Sequence, residues 1–242
     1  MSWWAAAKCR GMPLTDTAPQ HRWAVLVPLL ALGIVALYFV MRLEIETLPR
    51  RFAFVPQEWN SAWQALQREP LRLLSDAPWL VRRLLVPALG ASVLVAGPLH
   101  LATAVFFLWI FGDNVEARLG VVRFVILWLA AALVAAWVHV YLHRGGVHPV
   151  VGATGAIAGV LGAYLVLFRR AHVRVLGLVE APCWLAFVAF FVLQLRPVQQ
   201  ALGWVGLLDG IDVRAHGASL VAGVVLTPLL LLGRRAPQPA KR

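Results

Sequence analysis

Long apolar runs separated by short polar and basic breaks dominate the sequence from Trp23 onward. Six of them read as membrane-crossing helices: Trp23–Arg42, Pro98–Gly112, Gly120–Leu142, Gly152–Phe168, Val179–Leu195 and Val213–Gly233, with the second short unless it continues toward Val115. A helical crossing needs about 20 residues, and a chain in lipid must satisfy its own backbone, so helices are expected and a barrel is not. One segment has a different rhythm. Between Pro56 and Pro70 the apolar Trp59, Trp63 and Leu66 recur at i, i+4 and i+7, the face of an amphipathic helix, and Trp79 and Leu80 follow a further proline. Tryptophan prefers the membrane interface, so residues 43–97 are expected to lie there and cap the bundle. The pattern predicts an all-α membrane protein, with a tail over residues 1–22, a six-helix domain over 23–233 and a basic tail over 234–242.

Composition strengthens this picture. With 61% hydrophobic and 14% charged residues the chain lies far from the composition of a soluble domain. The net charge of +11 does not point to nucleic acid, because the basic residues sit in short connections between apolar runs. Lys8, Arg10 and Arg22, then Arg118 and Arg123, then Arg169, Arg170 and Arg174, then Arg234, Arg235, Lys241 and Arg242 fall on one face of the six-span layout. The short loops opposite carry only Arg144, Arg196 and Arg214, which places both termini in the cytoplasm. Met1–Arg22 has no apolar core of a cleaved signal, and the short termini suit a bacterial inner membrane. Cys9 and Cys183 fall at different depths, so no disulfide and no cysteine metal site is expected.

Candidate chemistry gathers at two places. Gly152-Ala153-Thr154-Gly155 opens the fourth span, with Gly159 completing a small-xxx-small face. His216 opens the last span, followed by Ser219 and Gly223 at the same spacing. Small residues let helices approach closely, which by itself explains the glycines. An ionisable residue inside a span is costly, however, and hints at function. Thr154 and His216 are expected at one depth on two closely packed helices, where an imidazole could take the hydroxyl proton during attack on an amide. His139 and His143, spaced i, i+4, with His148 beyond, could surround a metal, but no carboxylate or cysteine accompanies them in sequence. They read as interfacial histidines, and no cofactor is expected. The fourth and sixth spans carry no mid-membrane carboxylate, which disfavours a transporter.

Gly152-Ala153-Thr154-Gly155, Ala215-His216 with Gly223 beyond, and the stretch from His100-Leu101-Ala102-Thr103 to Gly112-Asp113-Asn114-Val115-Glu116-Ala117-Arg118-Leu119-Gly120 resemble the rhomboid intramembrane serine peptidases, as does Arg83-Leu84-Leu85-Val86-Pro87. The resemblance implies a site opened to water from the outer leaflet, with Thr154 at the nucleophile position and His216 as base. His100 and the backbone around Ala153 and Thr154 would stabilise the oxyanion, and Glu116 would tie a helix end to the following loop. Expected partners are the lipid bilayer and transmembrane proteins, cleaved as substrates or held as clients by an inactive relative. Three positions depart from the family pattern: threonine replaces serine at 154, Ala104 stands where an asparagine is usual, and Ala158 where an aromatic usually supports the histidine.

Overall fold

The computed structural model describes residues 14–16, 24–43, 54–71, 76–147, 152–175, 179–203 and 212–232. His148, Cys9 and the basic C-terminal tail therefore lie outside the described residues. The chain folds as a helical bundle: α1 (Leu26–Leu43), α2 (Pro56–Arg68), α3 (residues 77–91), α4 (Pro98–Leu119), α5 (Val121–Leu142), α6 (Ala153–Leu167), α7 (Cys183–Val192), the short α8 (Arg196–Ala201) and α9 (Val213–Leu231). Among the described residues, α1, α4, α5 and α9 are long and apolar enough to cross a membrane, while α6 and α7 are apolar but shorter.

The centre is α6. Every residue from Ala153 to Tyr164 is buried, so this helix is lined by protein on all sides and does not need the full length of a lipid-facing span. Its small residues permit that position. Gly155 and Gly159 face Ala135 and Ala131 of α5, while Gly162 faces the Leu220 carbonyl of α9 and Gly223 faces the Gly159 carbonyl. Ser219 adds a polar clasp at this junction, its hydroxyl 2.6 Å from the Gly155 carbonyl and 3.1 Å from that of Ala131. Large rings fill the other side: Phe111 of α4 meets Tyr164 of α6 and Phe187 of α7 edge-on, each with ring centroids 5.0 Å apart.

Several expectations change. The fourth expected break is later than the pattern suggested: Val179–Pro182 is a strand, so α7 begins at Cys183 and covers ten residues, about half the hydrocarbon thickness at 1.5 Å per residue. Pro182 explains the boundary, since proline biases the residue before it toward extended backbone. The strand pairs antiparallel with His172–Val175, which pairs in turn with Leu14–Asp16, giving a three-stranded sheet in an otherwise helical protein. The N-terminal tail and the α6–α7 connection therefore meet at one end of the bundle. The second helix is longer than Pro98–Gly112, running through a widened π-type turn at Leu108–Gly112 to Leu119. Gly120, with φ of +82°, then reverses the chain into α5 in a conformation that disfavours side chains.

The amphipathic helix α2 is present at Pro56–Arg68, but its buried line is rotated from the expected one. Ala62 and Leu66 are buried with Trp59 half-covered, whereas Trp63 is exposed and stacks on Trp59. Trp59 Nε1 donates to the Leu84 carbonyl, holding α2 against α3.

Glu116 also acts on a different partner from the expected following loop. Its carboxylate accepts from the N–H groups of Val25, Leu26 and Val27 at 2.7–2.9 Å, satisfying first-turn amides of α1 that have no intrahelical acceptor. Glu116→Ala is expected to lower stability by about 3 kcal/mol or more, since hydrogen bonds to a charged acceptor are each worth roughly 1.5–3 kcal/mol. Thermal unfolding of the purified protein in detergent measures this, and a midpoint equal to wild type would remove the capping role.

Candidate active site

The N-terminal ends of α4, α6 and α9 converge. His100 comes from the first turn of α4, Thr154 from the first turn of α6 and His216 from the first turn of α9. All three are at most 4% exposed. Pro98 starts α4 at a position where its missing amide costs nothing. Gly152 starts α6, and its N–H donates to the Ala91 carbonyl at 2.9 Å, anchoring the turn before Thr154 to the end of α3.

The Thr154 hydroxyl lies between two imidazoles, 3.2 Å from His100 Nε2 and 3.3 Å from His216 Nε2. Proton positions follow from the outer partners. Ala96 N–H donates to His100 Nδ1 at 3.2 Å, so a neutral His100 carries its proton on Nε2 and donates it to Thr154. On the far side, His216 Nδ1 is 2.5 Å from Gln194 Oε1. The Gln194 amide orientation is set because Nε2 donates to the Phe190 carbonyl at 2.9 Å. His216 therefore holds its proton on Nδ1 and presents a lone pair on Nε2. The Thr154 proton, with His100 donating to its oxygen, points at that lone pair. Four groups thus form one directed chain: His100 to Thr154 to His216 to Gln194.

No motif marks Gln194 in the sequence; its one signal is that of a polar amide ending the apolar run Phe190–Leu193. It is buried just past α7, and Gln199 Nε2 fixes its carbonyl at 3.2 Å. Phe190, one turn earlier, stands beside His216 with ring centroids 6.2 Å apart. Ala158 supplies no aromatic to His216, and α7 provides this ring from another direction. Ala104 is fully buried and offers no donor. Ala153 N–H donates to the Leu94 carbonyl at 3.2 Å, so its hydrogen is engaged. The Thr154 N–H lies in the first helical turn, where amides lack intrahelical acceptors and favour negative charge.

A cavity of about 30 Å³, enough for a water molecule, touches His216 and Gly155 and extends to His139 and Asp212. Asp212 caps α9 by accepting from Arg214 N–H at 3.1 Å. Burial pushes its carboxyl up, but contact with His139, the Arg214 N–H and the positive charge of both residues outweigh it, holding the carboxyl well below the usual carboxylate range. Asp212 is the carboxylate that the His139–His143 pair lacks in sequence: its Oδ2 is 3.2 Å and 3.4 Å from their Nδ1 atoms.

Residues 82–233, well over half of the chain, match the family model described as the Rhomboid domain. A stretch of 95 residues is 33% identical to "Rhomboid protein 1, mitochondrial" of Saccharomyces cerevisiae, covering 37% of this chain and 28% of that protein. The matched part thus spans under a third of that relative. The family match and the apolar helices together make the molecule an integral membrane protein.

Proposed function

The chain belongs to the rhomboid family, and from that premise we propose that it is an intramembrane peptidase that cleaves transmembrane proteins with Thr154 as nucleophile. The observation that carries this reading is the directed chain through the Thr154 hydroxyl, in which the proton already points at an unprotonated base nitrogen. Thr154 Oγ1 attacks the scissile carbonyl carbon as its proton passes to His216 Nε2. The carbonyl π electrons move to oxygen, where His100 Nε2–H, released from Thr154, and the Thr154 N–H receive the negative charge. Collapse expels the amine, which takes the proton from His216 and leaves an acyl ester on Thr154. Water, activated by His216, then hydrolyses that ester and restores the hydroxyl. Throughout, Gln194 Oε1 accepts from Nδ1, keeping the ring in the tautomer that exposes Nε2 and favouring the imidazolium when it forms.

Two features oppose fast turnover. The β-methyl of threonine restricts χ1 of the nucleophile, and Ala104 removes a donor position whose loss in other hydrolases slows reaction by about 10²–10³. They favour a second reading, in which the same groove holds transmembrane clients uncut. A reconstituted assay with a model transmembrane substrate separates the two. Slow cleavage is expected from wild type and none from Thr154→Ala or His216→Ala. Thr154→Ser is expected to be roughly fivefold faster, the equivalent of relieving about 1 kcal/mol of rotamer strain. If wild type is as silent as Thr154→Ala while Thr154→Ser cuts, the protein is a client-binding scaffold.

A further inference from the structure

We propose that His139, His143 and Asp212 form a binding site for a divalent transition metal, with Zn²⁺ as its best-matched ion, at the junction of α5 and α9. His139 and His143 lie one turn apart at the end of α5, and Asp212 immediately precedes α9. Each of the three offers one ligand atom, and these atoms lie within 4.8 Å of one another. The two nitrogen-to-oxygen separations, 3.2 and 3.4 Å, match the edges of a tetrahedron with metal–ligand bonds of about 2.0–2.1 Å, roughly 3.3–3.4 Å.

The carboxylate is buried and faces both imidazoles. Asp212 has only 8% of its side chain exposed; Oδ1 accepts from the Arg214 N–H, while Oδ2 has the two Nδ1 atoms as ion-pair neighbours but no contact with hydrogen-bond geometry. A cation between the three atoms would give Oδ2 the direct bond that these contacts do not. Two imidazoles and one carboxylate suit zinc, and the 40% exposure of the His143 side chain leaves room for water in a fourth position.

Proton balance is simple. His143 Nδ1, now 3.2 Å from the His139 carbonyl, must give up its proton, which Nε2 takes. Arg214 Nη2 approaches that Nε2 at 3.4 Å and its Nε pairs with Asp212 Oδ1 at 3.4 Å, so metal binding requires this 64% exposed side chain to leave both contacts for solvent. Zinc would then join the end of α5 to the residue that caps α9, four positions before His216. The site stands apart from Thr154, and its test does not require that the protein cleave anything.

The experiment titrates the purified full chain, in detergent and free of affinity tags, with Co²⁺ and then Zn²⁺. One Co²⁺ per chain is expected, with the visible absorption of a tetrahedral ion, displaced stoichiometrically by Zn²⁺. Zn²⁺ should also raise the unfolding midpoint. His143→Gln and Asp212→Asn, the latter keeping an oxygen to cap α9, should each weaken binding by more than about 100-fold, beyond the roughly 10–100-fold that outer-shell changes commonly cost. Their metal-free midpoints, compared with wild type, report that they fold. His216→Gln should retain the Co²⁺ spectrum, which separates this site from the His100–His216 pair. A spectrum absent from wild type, retained in His143→Gln and Asp212→Asn, or lost in His216→Gln overturns the assignment.

Discussion

Gly223→Ala is expected to destabilise the protein by about 2 kcal/mol or more and, on the proposed peptidase reading, to abolish cleavage. A Cβ at this position would overlap the backbone carbonyl of Gly159, not the flexible end of a side chain. The α6 backbone cannot give way locally, because this helix is enclosed on every side. Overpacking of a well-filled interior typically costs about 1–3 kcal/mol even where side chains can adjust. Here the relief would separate α9 from α6, and with them His216 from Thr154, whose contact of 3.3 Å has little slack. Gly33→Ala provides the control. Gly33 lies in α1 with nothing near its would-be Cβ, so alanine there should be neutral or mildly stabilising through helix propensity. Equal unfolding midpoints for the two variants would show that the α6–α9 contact is looser than the structure has it.

On the proposed peptidase reading, Gln194→Leu is expected to reduce kcat by about 100-fold or more with KM little changed. Without Oε1, the His216 Nδ1–H has no acceptor and the ring loses the group that selects its tautomer. Where a serine peptidase loses the corresponding orienting carboxylate, the cost reaches about 10⁴ through the wrong tautomer; an uncharged amide should matter less. Gln194→Glu keeps an acceptor at the same reach and should restore much of the rate. Leucine preserves the size and apolar fit of the site, so the unfolding midpoint should move far less than the rate. Wild-type kcat in Gln194→Leu would show that Phe190 and packing alone orient the histidine.

Much of this arrangement was legible in the amino-acid order, and the limits are instructive. Thr154 and His216 could be paired because each opens an apolar run and each is followed by small residues at helical spacing. Glu116 could be marked as structural, but its partner could not be named, since the amides of Val25 to Val27 are about 90 positions away. The α2 helix was visible, yet its buried line passes through Ala62 and not Trp63. At 3.6 residues per turn positions 62 and 63 both border the stripe, and docking on α3 chooses between them. The strand at Val179–Pro182 reads as membrane helix in the sequence because four residues before an apolar run carry no period of their own.

The sequence by itself determined that this is a multi-helix membrane protein, where its main spans fall, and which hydroxyl and imidazole open two of them. Those properties are local: transfer into lipid and helical period are set by each segment and its near neighbours. Only the tertiary structure decided that Gln194 orients His216 and that Asp212 completes the His139–His143 pair. Each is a single polar residue beside a helix end, without a repeat or a motif around it. Helix crossing and the turns after α7 and before α9 fix what such a residue meets, and those depend on close packing across the whole bundle.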